Sequence, residues 1–440
     1  MKGADHDRTE SGFRVRTRVD DARSTLEAAL EERSVRCDQE RVALSRADGR
    51  VLAEPITADV DVPHYERAAM DGYALRAAVT FGASERSPAV LALEDQPDPE
   101  TALPPETARR VHTGSAVPAD ADAVVMLEHA ESLGATGELE VLDAVAEGEN
   151  VAPVGEDVEA GQKLYEPGHR LRPSDLGLLR SAGTDRSLVS SRPTVGVVPT
   201  GEEVVQADPD PGEVIETNGL TVSRLVGRWG GRATHREVVT DDAEALRVAI
   251  QRDLTKDIVV TTGGSSVGQR DLLPEVIDDL GEVLVHGVAL KPGHPVCLGI
   301  VEETPVLALP GYPVACLINA VQFLRPTLAW LQGTEATPHP TVAARLERKI
   351  ASEPGTRTFA RVSLEGNEGL EEADEAVEET EDGHEERKEG GELVATPTRA
   401  SGSGVLSSVA LADGWVVVPE DREGIPAGEM VAVENWEPWF

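Results

Sequence analysis

Residues 261–271 read TTGGSSVGQRD and follow the apolar run DIVV, which has the pattern of a buried strand end. Gly263 and Gly264 remove Cβ atoms so that backbone can approach a ligand, and Ser265 and Ser266 add hydroxyls beside exposed N–H groups, a combination suited to phosphate oxygens. Asp271 stands just before the next helix or one turn into it. A carboxylate there directs a water or a divalent cation at a bound phosphate, or simply caps the helix. On composition alone the stretch is equally a structural turn. Two further loops follow apolar runs: PTGEE (199–203) after TVGVV, and LPGYP (309–313) after PVLA. Neither GxGxxG nor GxxxxGK[ST] occurs between residues 193 and 330, which argues against a dinucleotide site and a P-loop. The segment ALKPGHP (289–295) sets Lys291, one of only six lysines, on a Pro/Gly turn. In so acidic a chain an isolated loop cation suggests an anion to be neutralised, the plainer alternative being an ordinary surface lysine.

The elements that must carry these loops are legible. Residues 193–330 alternate apolar runs (TVGVVP, DIVVTT, PVLALP) with helical stretches (ETNGLTVSRLVGRWG, DDAEALRVAIQRDL, PVACLINAVQFLRPTLAWL), the signature of a parallel sheet covered by helices. In such sheets ligands sit beyond the carboxyl ends of the strands, where these loops fall. Residues 1–19 are polar, and DDARSTLEAALEE predicts an amphipathic helix. Residues 20–57 and 155–186 carry turn and helix signals and flank a Pro/Gly-rich stretch of short apolar runs, 58–154. A discontinuous first domain with a β insert is expected, then an α/β domain over 187–332 and a β domain over 338–440. Within the last, residues 365–392 are densely acidic with few large apolar groups, which predicts a solvated hairpin loop.

Acidic residues number 80 against 41 basic ones, a formal net charge of −39, which excludes nucleic acid and anionic membranes as natural partners. Scarce lysine, 3% aromatics and carboxylates spread along the whole chain point to a cytoplasm of very high salt. Cys37, Cys297 and Cys316 are far apart with no CxxC, so neither disulfides nor a zinc site is expected. No signal-peptide pattern and no apolar run approaching 18 residues is evident, so a cytosolic location is expected.

PHYERAAMDGYAL (63–75), VHTGSAVPADADAVVMLEHA (111–130), VGEDVEAGQKLYEPGHRL (154–171), VGVVPTGEEV (195–204), EVIETNGL (213–220), DIVVTTGGSSVGQRD (257–271), LKPGHP (290–295) and LPGYPVA (309–315) occur in that order. With them the chain resembles the molybdopterin molybdenumtransferase (MoeA) family, which includes the E domain of gephyrin. The resemblance runs from about residue 20 to the C-terminus. It implies a homodimer of four-domain subunits: a discontinuous domain I (20–57 and 155–186), a β insert as domain II (58–154), a three-layer MogA-like α/β molybdopterin-binding domain III (187–332) and a barrel-like β domain IV (338–440). It also implies an activity, the insertion of molybdate or tungstate into adenylated molybdopterin with release of AMP, aided by Mg²⁺.

The motif match carries roles over residue by residue. Thr200, Gly201, Gly263, Gly264, Ser265, Ser266, Gly311 and Pro313 are implied to line the pterin and phosphate pocket, with Lys291 facing the oxyanion and the Glu202–Glu203 pair and Asp271 as the carboxylates beside it. Asp71, Thr113 and Asp157 match functional positions implied to complete the partner subunit's pocket, with turn formation as the plainer reading of Asp71 and Asp157. Asp242, Glu203 and Asp271 are the metal candidates, although Asp242 equally suits a helix cap. Arg357, Arg361 and Ser403 are looser matches for oxyanion contacts. Further partners implied are the adenylylating enzyme and molybdoenzyme chaperones. Departures fall on the oxyanion side: His294 stands where the family has a lysine, Tyr312 where it has asparagine, Ala68 where it has serine and Gln269 where an acidic residue is usual. They leave a dimeric binding scaffold with weakened chemistry as the alternative. The preceding adenylylation step ranks below both, since it does not need the flanking β domains.

Overall fold

The computed structural model describes residues 8–9, 12–13, 16–94, 102–134, 136–264, 272–366, 393–398 and 402–438. The chain forms two compact units, a larger one from 1–39 and 190–440 and a smaller one from 40–189.

The larger unit is built on a six-stranded sheet: β1 (Thr194–Pro199), β2 (Arg232–His235), β3 (Ile258–Thr262), β4 (Glu282–His286), β5 (Cys297–Val301) and β6 (Thr304–Leu309) in the order β2-β1-β3-β6-β5-β4. The first four in that order are parallel, as the alternating pattern predicts. The last two are not: β5 pairs antiparallel with β6, and β4 with β5. The cause is local. Only Glu302 and Glu303 separate β5 from β6, and a two-residue connection, with Glu302 at φ +55°, makes a hairpin rather than a crossover. Helices α1 (Val19–Glu32), α2 (Asn218–Arg228), α3 (Ala243–Asp253), α4 (Leu272–Leu280) and α5 (Pro313–Leu331) cover the sheet.

The boundaries read from the sequence place α1 in the first domain, but it packs into the α/β core. Leu26 and Leu30 are fully buried in one cluster with Val285, Phe323 and Leu331. Each such burial is worth about 2 kcal/mol. The nineteen-residue α5 is, among the described residues, a helix long and apolar enough to cross a membrane, but 94% of it is buried in the protein, as in a central core helix. At its π-helical turn (Ala320–Leu324), Arg23 of α1 donates from Nε to the Gln322 carbonyl (2.9 Å) and from Nη2 to Gln322 Oε1 (2.6 Å).

The C-terminal part of the larger unit is a closed sheet. Arg357–Gly366 pairs with Leu393–Pro397, that strand with Thr341–Leu346, then Met430–Glu434, then Gly414–Val418, which returns to Arg357–Gly366. Closure removes the exposed edges of a small sheet. Residues 367–392, most of the acidic stretch, lie outside the described residues, but their flanks pair as a hairpin with Gly366 opposite Leu393. One further pairing positions the site: Leu290 and Lys291 add in parallel to Arg357 and Thr358.

The smaller unit holds a six-stranded mixed sheet over residues 72–141 and short two-stranded ladders around the helix Pro173–Ser181. Asp175 of that helix is 2% exposed and accepts hydrogen bonds from Arg172 (backbone and guanidinium) and Tyr165 Oη, with His169 Nε2 at 2.8 Å. Burial alone raises its pKa; the Arg172 bonds, then those of His169 and Tyr165, overcome this and hold it well below the usual carboxylate range. The folded-state pKa is depressed, so this stabilisation is fully present above about pH 5 and is lost as pH falls through the acid range. Asp175→Ala is expected to cost about 3 kcal/mol at pH 7, because it strands buried donors, and the deficit should shrink below about pH 4, read by urea unfolding at both pH values.

Candidate functional site

Register sets the site. Pro199 pairs with Thr262 and Thr262 with Leu309, so the loops leaving β1, β3 and β6 emerge side by side at the carboxyl edge of the sheet. The direction of chain travel reverses between β1 and β3, which makes this the switch point where such sheets leave a crevice. The Thr200 N–H donates to the Thr262 carbonyl (3.1 Å) and the Gly263 N–H to the Leu309 carbonyl (3.0 Å), prolonging the ladder into the loops.

Three backbones then converge. A Cβ on Gly263, at φ +124°, would lie 2.2 Å from the Thr200 carbonyl oxygen, and one on Gly311 would lie 3.3 Å from Gly263 Cα. Gly264, at φ +65°, faces Thr200 Oγ1 and Asp241 Oδ1. The hydroxyls of Thr200 and Thr262 are buried with no hydrogen-bond partner among the described residues. Buried orphan hydroxyls cost about 1–3 kcal/mol each and mark a place not optimised for the chain alone. Gly201 sits at φ +143° with its N–H on the Val239 carbonyl; Glu202 and Glu203 are exposed on the turn that follows. Ser265, Ser266, Gln269 and Asp271 lie outside the described residues.

The third loop opens α5 with Pro313 in its first turn, where the missing N–H costs nothing. The Val314 N–H there donates to the Ser403 carbonyl (3.0 Å), so Ser403 does come to the site, through its backbone. Tyr312 is 62% exposed.

The Lys291 loop is held from both sides. Asn319 of α5, fully buried, donates from Nδ2 to the Gly293 carbonyl (2.9 Å) and to the Ala315 carbonyl (2.8 Å). From the barrel, Glu353 accepts from Lys291 Nζ at 2.8 Å. Burial, then the Arg16 charge, pushes the His294 imidazole below its ordinary pKa, with Glu353 opposing, so this substitute for a lysine is neutral at pH 7. Arg357 is already engaged, bonded to Asp20 (2.9 and 2.7 Å) and Glu420 (3.1 Å), and Arg361 is buried.

In the smaller unit, Asp71 Oδ1 accepts from both the Thr113 N–H (2.7 Å) and the Thr113 hydroxyl (2.8 Å). These bonds hold the Asp71 carboxyl below its usual range, so it stays ionised well into acid. Asp157 is exposed on a turn whose N–H donates to the Val62 carbonyl. Asp242 caps α3, its Oδ1 accepting from Glu244 and Ala245. Among the described residues no three or more His, Cys, Asp or Glu side chains form a group able to hold a metal ion.

Sequence reasoning assigned no role to Asn218, Glu216 or Asn319. Asn218 Nδ2 donates to the Gly311 carbonyl (2.7 Å), and Glu216 accepts from the Gly219 N–H (2.6 Å) with His235 Nε2 3.2 Å away. The only signal was ETNGL, a polar triplet opening an otherwise amphipathic helix.

Three family models match in order: MoeA N-terminal region (domain I and II) over 17–183, probable molybdopterin binding domain over 196–330, and MoeA C-terminal region (domain IV) over 384–436. A putative molybdopterin biosynthesis protein of Methanocaldococcus jannaschii is 33% identical over 403 residues, 89% of this chain and 91% of that protein. A molybdopterin molybdenumtransferase of Bacillus subtilis is 30% identical over 419 residues, covering 91% and 92%. The solved molybdopterin biosynthesis MoeA protein of Pyrococcus horikoshii superposes with a TM-score of 0.76 at 32% identity, covering 97% of this chain and 100% of that one. With matched domains in matched order and near-complete mutual coverage, the chain belongs to the MoeA family.

Proposed function

We propose that the protein is a molybdopterin molybdenumtransferase that binds adenylated molybdopterin and an oxyanion of molybdenum or tungsten, releases AMP and delivers the metal to the dithiolene sulfurs. The observation that carries this is the convergence at Thr200, Gly263 and Gly311, where a Cβ on Gly263 has no room, one on Gly311 is tight, and the hydroxyls of Thr200 and Thr262 are buried without a partner among the described residues. Such a backbone cradle suits phosphate and the edge of a pterin. Thr200, Gly201 and Gly311 form its floor, Gly264 one wall and Pro313 with the Ser403 segment the other, and Ser265 and Ser266, which follow Gly264 in sequence, are the hydroxyls proposed for the phosphate.

Lys291 supplies the cation for the oxyanion, with His294 beside it, and Asp271 orients the water that attacks the adenylate. Mg²⁺ held largely by substrate phosphates needs only one or two protein carboxylates. Glu203, whose Oε2 turns back towards Gly201, and the Asp241–Asp242 bend that opens α3 fit that need, with Glu202 adjacent. When bound, the ion would neutralise charge on the phosphates. For Asp71, Thr113 and Asp157 the reading is a role in the cradle of a second copy, in a homodimer. The charge of −39 supports work in concentrated salt.

The test is AMP release from adenylated molybdopterin by the purified protein in multimolar KCl, without oxyanion, with molybdate and with tungstate. Release that depends on the oxyanion is expected, and the stronger response names the metal. Tight pterin binding with no release under any condition would overturn the enzyme in favour of a binding scaffold.

A further inference from the structure

The Lys291 ammonium already has an anion. Glu353, from the barrel loop between Ile350–Ala351 and Arg357–Gly366, accepts from Lys291 Nζ at 2.8 Å. Its carboxyl is held below the usual range by Lys291 first, with Arg16 adding further positive field and His294 doing so only when protonated. One carboxylate thus faces three basic side chains, and buried Arg16 Nε has no acceptor among the described residues.

The loop that delivers Glu353 is pinned. The Ser352 N–H donates to the Glu423 carbonyl (3.0 Å), the Gly355 N–H to the Glu420 carbonyl (2.7 Å), and the Arg357 N–H to the Ala289 carbonyl (2.9 Å). On the other side, the parallel pairing of Leu290 and Lys291 with Arg357 and Thr358 fixes the lysine. The pair is therefore set by two ordered backbones. Yet both side chains are more than half exposed, and an ion pair this open contributes little. It is placed accurately and held weakly, which suits an anion that must be exchanged.

We propose that Glu353 is a resident carboxylate occupying the oxyanion position at Lys291, displaced when the substrate oxyanion arrives, so that it sets the threshold of oxyanion affinity. This rests on the reading of Lys291 as the oxyanion cation. A dianion outcompetes a single carboxylate at the same basic cluster, whereas chloride or a monoanionic carboxylate gains little by the exchange. Glu353 in this role discriminates by charge.

Equilibrium dialysis of molybdate alone against the full-length protein at one fixed KCl concentration tests this. Glu353→Gln is expected to bind molybdate about two- to fivefold more tightly than the unaltered chain. Glu347→Gln, which removes the same charge from a barrel residue paired with Arg348, should bind as the unaltered chain does. Lys291→Ala should weaken binding, and adding Glu353→Gln to it should bring no gain, because the carboxylate then has nothing to compete for. Equal affinity of Glu353→Gln and the unaltered chain, with Lys291→Ala still weakened, overturns the resident carboxylate and leaves the oxyanion site standing. Unchanged binding in Lys291→Ala, or no binding by any form, overturns both, while molybdate-dependent AMP release would still uphold the enzyme.

Discussion

Lys291→Ala lowers molybdate-dependent AMP release about 100-fold or more at fixed molybdate, while affinity for adenylated molybdopterin stays within about twofold. The asymmetry follows from how the two halves of the site are built. The cradle is backbone, carried on three strand ends in register, and does not depend on this side chain. On the proposed reading the oxyanion is met by Lys291 on its own loop with only Arg16 as a second permanent charge nearby among the described residues, because His294 is neutral at pH 7 and Arg357 is bonded to Asp20 and Glu420. Stability should move by less than about 0.5 kcal/mol, since the lost ion pair with Glu353 is exposed. Single-turnover AMP release and pterin binding, measured on the same preparation, separate the two halves. A rate within threefold of the unaltered protein would remove Lys291 from the chemistry.

The charge inventory also sets a pH trend. The His294 pKa is depressed, so its proton arrives only below the ordinary imidazole range, where it adds positive charge beside Lys291 and Arg16 and, on the proposed reading, raises oxyanion affinity in dialysis below about pH 6.

Local signals were legible, and long-range ones were not. β1, β3 and β6 are uninterrupted apolar runs ended by Pro, Gly and Thr, so their existence and the loops after them could be read directly. That the same runs stand in register, with Pro199 beside Thr262 and Thr262 beside Leu309, is a product of sheet order, which no run of residues states. The antiparallel β5–β6 pair escaped the reading because a two-residue Glu-Glu connection lacks the usual Asn-Gly or Asp-Gly signature. α1 has the same amphipathic pattern whichever core it joins, and only Leu26 and Leu30 meeting Val285 and Phe323 decides.

At the site the same division holds. Asp242 showed as both a cap and a functional match, and the structure adds the two N–H groups it caps. Asn319, 26 positions from Gly293, and Glu353, 62 from Lys291, were silent because a lone Asn on an apolar helix and a lone Glu in an acidic chain carry no local signal.

Gly263→Ala is expected to be the more damaging of the two cradle glycine substitutions, costing about 3 kcal/mol and abolishing oxyanion-dependent AMP release. Two penalties coincide there. At φ +124° an L side chain is strained in any surroundings, and the new Cβ would stand 2.2 Å from the Thr200 carbonyl oxygen. Neither backbone can yield cheaply, since Thr200 is tied to Thr262, and Gly263 itself to Leu309. Relief therefore requires opening the cradle. Gly311→Ala is milder, because its Cβ would stop 3.3 Å from Gly263 Cα, and a cost of about 1 kcal/mol with weakened pterin binding is expected. Gly227→Ala is the control: it lies in α2 with nothing within 4 Å of its added methyl, and a helical Gly→Ala change stabilises by about 0.5–1 kcal/mol. Thermal unfolding should rank the variants Gly227→Ala, unaltered chain, Gly311→Ala, Gly263→Ala from most to least stable. A Gly263→Ala protein that melts with the unaltered chain and still releases AMP would mean the three backbones are not packed against one another in solution, and the cradle assignment would go with them.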